Sequence, residues 1–459
     1  MKISIRIAIL ICGLIALSSS IDLSNLANYS SQTVPNYIAQ DNTPVSNPIT
    51  DIGAALGRVL FYDKQLSANY TIACASCHHQ QFAFSDTSDR SVGLNSGLTG
   101  RHAMRLVNAR FSEEEKFFWD ERASSVEDQS TQPIQDHVEM GFSGATGDPD
   151  LDSLIRKMES LDYYPELFER AFGDSQITED RMQRALAQFI RSIQSFDSKF
   201  DLGLAQVAAV NQNFPNFSTE ENQGKLLFLD PPNRGGAGCA GCHRPPEFDI
   251  DPNSGNNGIV GNLSDPNSID ITNTRAPSIR DLVNPQGDLN GALMHDASIK
   301  SLADVIEHYN QITIVAGNTG IDPRLTPQGQ AQNLNLTAIE KQALESFLMT
   351  LTGSDMYTNE KWSDPFEADG SLNLIDATSI KDLRKNESFV QVYPNPASSE
   401  LNVRIDADIV ELQIFNLNNE LVLRTTDSKF SVEQLPTGMY WLKVQTAKQW
   451  HLEKFMITH

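Results

Sequence analysis

The sequence predicts a mainly α protein that carries a small β-sandwich at its C-terminal end. Apolar residues recur at helical spacing through most of the 459-residue chain, most plainly in Met182, Leu186, Phe189, Ile190, Ile193 and Phe196. After about Ser388 that period gives way to short stretches of apolar–polar alternation. Between the helical stretches run loops rich in Gly, Asn and Pro, such as Pro231 to Gly241 and Pro252 to Pro266. Loops of that kind either serve a site or connect elements across the surface. The length calls for two or three domains.

Taken in order, the chain opens with Lys2 and Arg6, an apolar run from Ile7 to Leu17, and the small residues Ser18, Ser19 and Ser20. Residues 1–20 therefore read as a signal peptide, too short to span a bilayer. Cys12 lies inside it, and Ile9-Leu10-Ile11 before it lacks the small residues of a lipoprotein site, so Cys12 is expected to be discarded. A polar N-terminal segment follows at 21–47. Helical signals run from Asp51 to about Leu351, with one helix expected over Thr178 to Phe200. Ser218 with Glu221, and Thr337 with Glu340, have capping-box spacing. The second box opens a helix carrying Ile339, Leu344, Phe347, Leu348 and Leu351, closed by Gly353. A polar linker is expected at 355–387. The β domain spans 388–459, with strands at Glu400 to Ile405, Glu411 to Phe415, Glu420 to Arg424 and Met439 to Val444, and turns at Asn418-Asn419 and Thr437-Gly438. No segment after the signal peptide reaches transmembrane length, so the expectation is an exported protein without a membrane span.

Four cysteines remain beyond Cys12, in two like patterns: Cys74-Ala75-Ser76-Cys77-His78 and Cys239-Ala240-Gly241-Cys242-His243. Two cysteines three apart can each form a thioether to one haem edge, and the adjacent His then donates nitrogen to the iron. Two covalently bound haems c are thus expected. A four-cysteine zinc site would place its pairs within about 15–20 residues, and these pairs are far apart. A thioredoxin-like pair would need a βαβ setting, which is absent. Disulfides are permitted outside the cytoplasm but leave the His after both pairs unexplained.

Composition is that of an ordinary folded protein, 40% hydrophobic and 20% charged. The formal net charge is −24, with no Lys/Arg cluster, which argues against nucleic acid as a partner. Such a surface suits a basic redox partner, or serves solubility alone.

Over about residues 48 to 353 the chain resembles the bacterial di-haem cytochrome c peroxidases and their MauG-type relatives. The resemblance rests on Leu56-Gly57-Arg58-Val59-Leu60-Phe61-Tyr62-Asp63, the first haem motif and Phe82-Ala83-Phe84-Ser85-Asp86. It continues through Phe118-Trp119-Asp120-Glu121-Arg122, Val138-Glu139-Met140, Arg275-Ala276-Pro277-Ser278, Met294-His295-Asp296 and Phe347 to Gly353. It implies two cytochrome c-like haem domains, a peroxidatic one at 48–210 and an electron-transfer one at 211–354. The β tail resembles the C-terminal sorting domain of type IX secretion cargo, through Tyr393-Pro394-Asn395-Pro396-Ala397 and Gly438-Met439-Tyr440. That implies type IX secretion machinery as a partner and a cell-surface or extracellular destination, reached through the periplasm. An ordinary immunoglobulin-like binding module is the other reading of this tail.

The resemblance also implies roles. The first haem, on His78, is the peroxidatic one, Glu139 the acid/base and Gln129 its orienting neighbour. A carboxylate near the iron can take the proton from one peroxide oxygen and return it to the other. Trp119 corresponds to the aromatic residue between the haems. The second haem, on His243, receives electrons, and its sixth ligand in the peroxidases is a Met fourteen residues after the His matched by His295; here that position is Tyr309. Tyr at this place is the MauG pattern, and an anionic phenolate lowers the potential relative to neutral sulfur. His308 is adjacent and could compete, although helix geometry turns neighbours about 100° apart. Asn310 offers no sulfur, and Met294 precedes the matched His.

Two further departures concern the loop from Ser88 to Gly100, which contains no His to block the peroxidatic iron, and the family's interdomain calcium. The calcium's side-chain Asn is matched by His102, with carbonyls near Asn290 and Ala292, and calcium prefers oxygen. The expected function is reduction of hydrogen peroxide by electrons from a small cytochrome or another redox protein. The alternatives are MauG-like oxidation of residues in a partner protein through a high-valent iron state, and a non-catalytic electron-transfer cytochrome.

Overall fold

The computed structural model describes residues 23, 25–145, 147–374, 390–405, 409–416, 421–446 and 450–459. The expected signal peptide with Cys12, residues 375–389 and the Asn418-Asn419 turn lie outside them. The chain divides into two compact units, Met1–Asp376 and Ala377–His459.

The first unit is helical. Its first half holds α1 (Asp51–Tyr62), α2 (Val126–Ser130), α3 (Leu151–Glu159), α4 (Tyr163–Phe172) and α5 (Glu179–Ser192). Its second half holds α6 (Lys199–Leu204), α7 (Thr219–Leu229), α8 (Leu302–Asn310) and α9 (Ala338–Met349). Both capping boxes form: the Ser218 hydroxyl accepts from Glu221 N–H at the start of α7, and the Thr337 hydroxyl from Glu340 N–H at the start of α9.

Apolar faces gather into two cores. Leu56, Leu60, Phe61, Tyr164, Met182 and Phe189 belong to the first, and Phe200, Phe214, Phe228, Phe248, Phe347 and Leu351 to the second. One device recurs in both. A Cβ on Gly57 of α1 would lie 2.0 Å from the Ala185 carbonyl oxygen of α5, and one on Gly224 of α7 would lie 1.8 Å from that of Ala343 in α9. Only glycine lets either pair of helices approach so closely. The matching stretches Leu56-Gly57-Arg58-Val59-Leu60-Phe61 and Gln223-Gly224-Lys225-Leu226-Leu227-Phe228 each precede one Cys-x-x-Cys-His motif.

Four features differ from the sequence expectation. The helix expected through Phe200 stops at Ser192, where Ile193 turns extended (ψ 103°). Ser198 then caps α6 by a reciprocal box with Asp201, so the apolar period outlasts the helix. Ile339 is 71% exposed although Leu344, Phe347 and Leu348 of the same helix are buried. Residues 355–374, expected as linker, pack on the first core through Met356, Trp362 and Leu374; the Tyr62 hydroxyl donates to the Trp362 carbonyl at 2.6 Å. Within the polar N-terminal segment Tyr29 is likewise buried, its N–H donating to the Asp51 carboxylate at 2.8 Å. A two-strand ribbon, β1 (His243–Arg244) and β2 (Asp249–Ile250), follows the second motif. Among the described residues no helix is long and apolar enough to cross a membrane.

The second unit is all β. Its strands are β3 (Gln391–Tyr393), β4 (Glu400–Arg404), β5 (Ile409–Phe415), β6 (Leu421–Thr425), β7 (Lys429–Ser431), β8 (Gly438–Thr446) and β9 (Trp450–Ile457). They form two antiparallel sheets, ordered β3-β4-β7 and β6-β5-β8-β9. Leu401 and Val403 from one sheet and Leu412, Ile414, Leu442 and Val444 from the other share a single core, the arrangement of a sandwich. The four expected strands are present, and β3, β7 and β9 are additional.

Candidate active site

The first motif folds as a 3₁₀ turn over Cys74–Ser76. The Ala73 N–H donates to the Ser76 hydroxyl at 3.0 Å, and the His78 N–H reaches back to the Cys74 carbonyl at 3.0 Å. Two consecutive left-handed residues, Ala83 and Phe84 (φ 56° and 57°), then double the chain back. This brings the Phe84 carbonyl to 2.9 Å from His78 Nδ1. A carbonyl only accepts, so the proton sits on Nδ1 and Nε2 keeps its lone pair for a metal. Burial depresses the His78 pKa and keeps the ring neutral.

The second motif repeats the turn over Cys239–Gly241, entered through Gly238 at φ 75°. His243 begins β1, and its Nδ1 is buried with no partner among the described residues. Burial above all, then Arg324 and Arg105, brings its pKa down to about 4. Arg324 braces this motif, donating through Nη1 to the Gly241 carbonyl and, at 3.0 Å, to Asp251.

Each motif opens onto its own cavity. One of about 630 Å³ is lined by Cys77, His78, Trp119, Gln129 and Glu139. The other, of about 830 Å³, is lined by Cys239, Cys242, His243, Trp119, Met294 and Tyr309. Both volumes fall within the roughly 300–1,000 Å³ usual for small-molecule and cofactor sites. The two cysteine pairs therefore cannot share one zinc ion. Burial also pushes Cys74 and Cys239 up to about 12 and Cys77 to about 11, the reverse of the lowered thiol pKa in a redox pair. What each motif offers, a neutral imidazole beside two thiols, fits a covalently attached haem.

Trp119 lines both cavities. Its indole Nε1 donates to the His102 carbonyl at 2.8 Å, and its ring meets that of His295 edge-on at 6.2 Å. The neighbouring Asp120 pairs with Arg101 at 2.7 Å and Arg122 at 2.9 Å, so the loop is held from two sides. Gln129 is presented by the one-turn helix α2, capped by Ser125. Glu139 is fixed through its backbone, its N–H donating to Asp136 Oδ1 at 3.0 Å. Burial, reinforced by the Asp136 carboxylate and opposed by Arg122, pushes the Glu139 carboxyl up to about 7.

Tyr309 and His308 of α8 separate as helix geometry requires. His308 Nε2 is engaged with the Asn257 carbonyl at 2.9 Å, whereas the Tyr309 hydroxyl lies on the second cavity, 3.3 Å from Asn257 Nδ2. Met294, set aside in the sequence for preceding His295, lines the same cavity. Asn257 carried no signal in the sequence beyond its place in a polar loop. The loop from Ser88 to Gly100 brings Ser91 and Thr99 to the first cavity.

The expected calcium position sets an imidazole beside a buried amide. His102 presents ring nitrogens, with Nδ1 engaged by the Ser88 carbonyl at 3.0 Å and Nε2 buried without a partner among the described residues. The Asn290 amide nitrogen is committed to the Asp281 carbonyl and the Tyr357 hydroxyl, while its Oδ1 is buried without a partner among the described residues.

Comparison with known proteins gives the family. The model of the family "Di-haem cytochrome c peroxidase" matches residues 52–208, and that of the "Secretion system C-terminal sorting domain" matches residues 391–458. The methylamine utilization protein MauG of Methylophilus methylotrophus is 30% identical over 316 residues, covering 68% of this chain and 85% of that protein. This chain belongs to the di-haem cytochrome c peroxidase and MauG family. The cytochrome c551 peroxidase of Nitrosomonas europaea is 26% identical over 316 residues, covering 65% of this chain and 80% of its own. A solved MauG-like protein associated with microbial copper homeostasis superposes with a TM-score of 0.59 at 27% identity, covering 73% of this chain and 99% of that one. Membership implies haem c, for which the two cysteine pairs stand ready, and the sorting domain implies export by type IX secretion.

Proposed function

We propose that the protein is a di-haem peroxidase that reduces hydrogen peroxide to water in the cavity beside His78. Two haems c would be held through Cys74, Cys77 and His78 and through Cys239, Cys242 and His243. When bound, they supply the iron that holds peroxide and the electrons that reduce it. The reading rests chiefly on one observation: Glu139 faces the same cavity as His78 with its carboxyl raised to about 7. A carboxyl so poised can take a proton from one peroxide oxygen near neutral pH and return it to the departing one. Gln129, neutral and on the same wall, holds peroxide by hydrogen bonding. Trp119, on both walls, is the passage for electrons entering at the second cavity.

Tyr309 would help hold the second haem as a ligand to its iron, and its place on the second cavity supports a second reading. A phenolate-ligated haem favours its oxidised states, which suits MauG-like oxidation of residues in a partner protein. The electron donor of the first reading is a small cytochrome or another redox protein. We place the working protein at the cell surface or in the medium, after transit through the periplasm. The proposal does not include calcium, which prefers oxygen to the His102 imidazole.

Mixing the diferric, haem-loaded protein with peroxide, with and without a reduced small cytochrome, tests the proposal. Rapid peroxide consumption coupled to cytochrome oxidation is expected. Consumption without cytochrome oxidation favours the MauG-like reading, and none at all leaves an electron-transfer cytochrome.

A further inference from the structure

The second cavity contains a sulfur atom that the sequence order had set aside. Asn257 Nδ2 lies 3.1 Å from Met294 Sδ and 3.3 Å from the Tyr309 hydroxyl. One amide group thus touches both atoms, although the three residues come from a loop, a second loop and helix α8. We propose that Met294 is an alternative sixth ligand of the second haem, and that Asn257 sets the choice between Met294 and Tyr309. The proposal rests on the assignment of Tyr309 as the ligand.

Asn257 is built to hold this position. Its Oδ1 accepts from the Ile259 N–H at 3.1 Å, which fixes the amide so that Nδ2 faces the two side chains. Its carbonyl engages His308 Nε2 at 2.9 Å, removing the one imidazole that competes from α8. The preceding Asn256 is fully buried and exchanges reciprocal amide hydrogen bonds with Asn318 at 2.9 and 2.8 Å. The loop therefore cannot drift without breaking a paired, buried amide.

Met294 is aimed with comparable firmness. It occupies the left-handed region at φ 72°, unusual for a side chain of its size. The bridge between Leu293 and Ile299 and the bond from Ala297 N–H to its own carbonyl hold it there. The next residue, His295, is pinned on both ring nitrogens, by Asn273 at 2.9 Å and the Gly261 carbonyl at 2.9 Å. With His295 fixed on the Trp119 side, the thioether lines the second cavity.

The two atoms differ as ligands. A thioether is soft and neutral, whereas a phenolate is hard and anionic and suits ferric iron. An amide N–H donates far better to an anionic oxygen than to sulfur. Asn257 therefore weights the choice toward Tyr309 in the oxidised protein and leaves the thioether in reserve. Losing a hydrogen bond to a charged group shifts such a balance by roughly tenfold or more.

The test compares haem-loaded Tyr309→Phe, Tyr309→Phe with Met294→Leu, and Asn257→Leu, reading the sulfur-to-iron charge-transfer absorption and the potential of the second haem. Tyr309→Phe should gain the sulfur band and a raised potential, and the double variant should lose both. Asn257→Leu, with Tyr309 intact, should show the sulfur band in a fraction raised roughly tenfold over the unsubstituted protein. If Tyr309→Phe changes the spectrum but gains no sulfur band, and adding Met294→Leu alters nothing further, Met294 is not a ligand while Tyr309 stands. If Tyr309→Phe leaves spectrum and potential unchanged, the Tyr309 assignment falls and this proposal with it. An Asn257→Leu spectrum like that of the unsubstituted protein overturns the part given to Asn257.

Discussion

Replacing Glu139 by Gln keeps shape and removes the charge, and its consequences separate a catalytic carboxyl from a merely buried one. Burial raises this carboxyl from 4.5 to about 7, so the folded protein holds the proton more tightly than the unfolded chain. The sign follows directly: the penalty is absent below about pH 4.5, grows as pH rises through the window to about 7, and is complete above it. At about 1.4 kcal/mol per pKa unit its upper bound is about 3–4 kcal/mol. Glu139 retains part of its accessible surface, and solvent screening reduces the expectation to about 1–2 kcal/mol. Glu139→Gln should therefore stabilise the protein by about that amount at pH 8 and not at all at pH 4, in denaturant titrations at the two pH values. Peroxide cleavage should move the other way. The rate in the unsubstituted protein should rise with pH through about 7 as the carboxylate becomes available, and the variant should lose this inflection and run roughly 10²–10⁴-fold slower with its haem content intact. A stabilised variant with an unchanged rate and the same inflection would refute the assignment of the proton-transferring group to Glu139.

Denatured protein should retain two covalently bound haems per chain in a pyridine haemochrome assay, and Cys239→Ala with Cys242→Ala should leave one; a single haem in the unsubstituted protein would remove the basis of the site. Because no His lies between Ser88 and Gly100, peroxide should react with the diferric protein without prior reduction, and a bis-His spectrum at the first haem would contradict this. Arg280 and Asp201 form a buried two-pronged ion pair at 2.9 Å on both arms; Arg280→Ala should cost about 3–5 kcal/mol in urea unfolding, because Asp201 is left charged and unpaired. Deleting residues from Ser388 onward should strand an active, haem-loaded enzyme in the periplasm, whereas loss of haem loading would give the tail a structural part.

Both haem motifs were legible because their chemistry is local: cysteines three apart with an adjacent His describe one turn of chain, and each folds as a 3₁₀ turn. The capping boxes were legible for the same reason. The early end of α5 was not, because Ile193 stays fully buried after the helix stops, so the apolar period continues while the backbone hydrogen bonds do not. Residues 355–374 read as linker because most are polar. Their attachment depends on a few anchors such as Met356 and Trp362, which meet Gln80, Tyr62 and Ser192, far away in the chain. In the tail, β3 and β7 span only three residues each, too short to show alternation.

The glycine repeat and the Asn257 cluster mark how far local patterns reach. Leu56-Gly57 and Gln223-Gly224 stand in the sequence as similar stretches, yet the need for glycine appears only when the Ala185 and Ala343 carbonyls are placed against them. In the sequence Met294 precedes the matched His, whereas the expected sulfur follows it in the peroxidases. The chain does not honour that order. The left-handed Met294 and the pinned ring of His295 both line the second cavity, and Asn257 meets Met294 and Tyr309 at sequence separations of 37 and 52. The haem motifs are written into contiguous residues, but Asn257, Met294 and Tyr309 are gathered by tertiary packing. A reading that stops at the motif can count the haems, and only the fold shows that a thioether and a phenol share one amide.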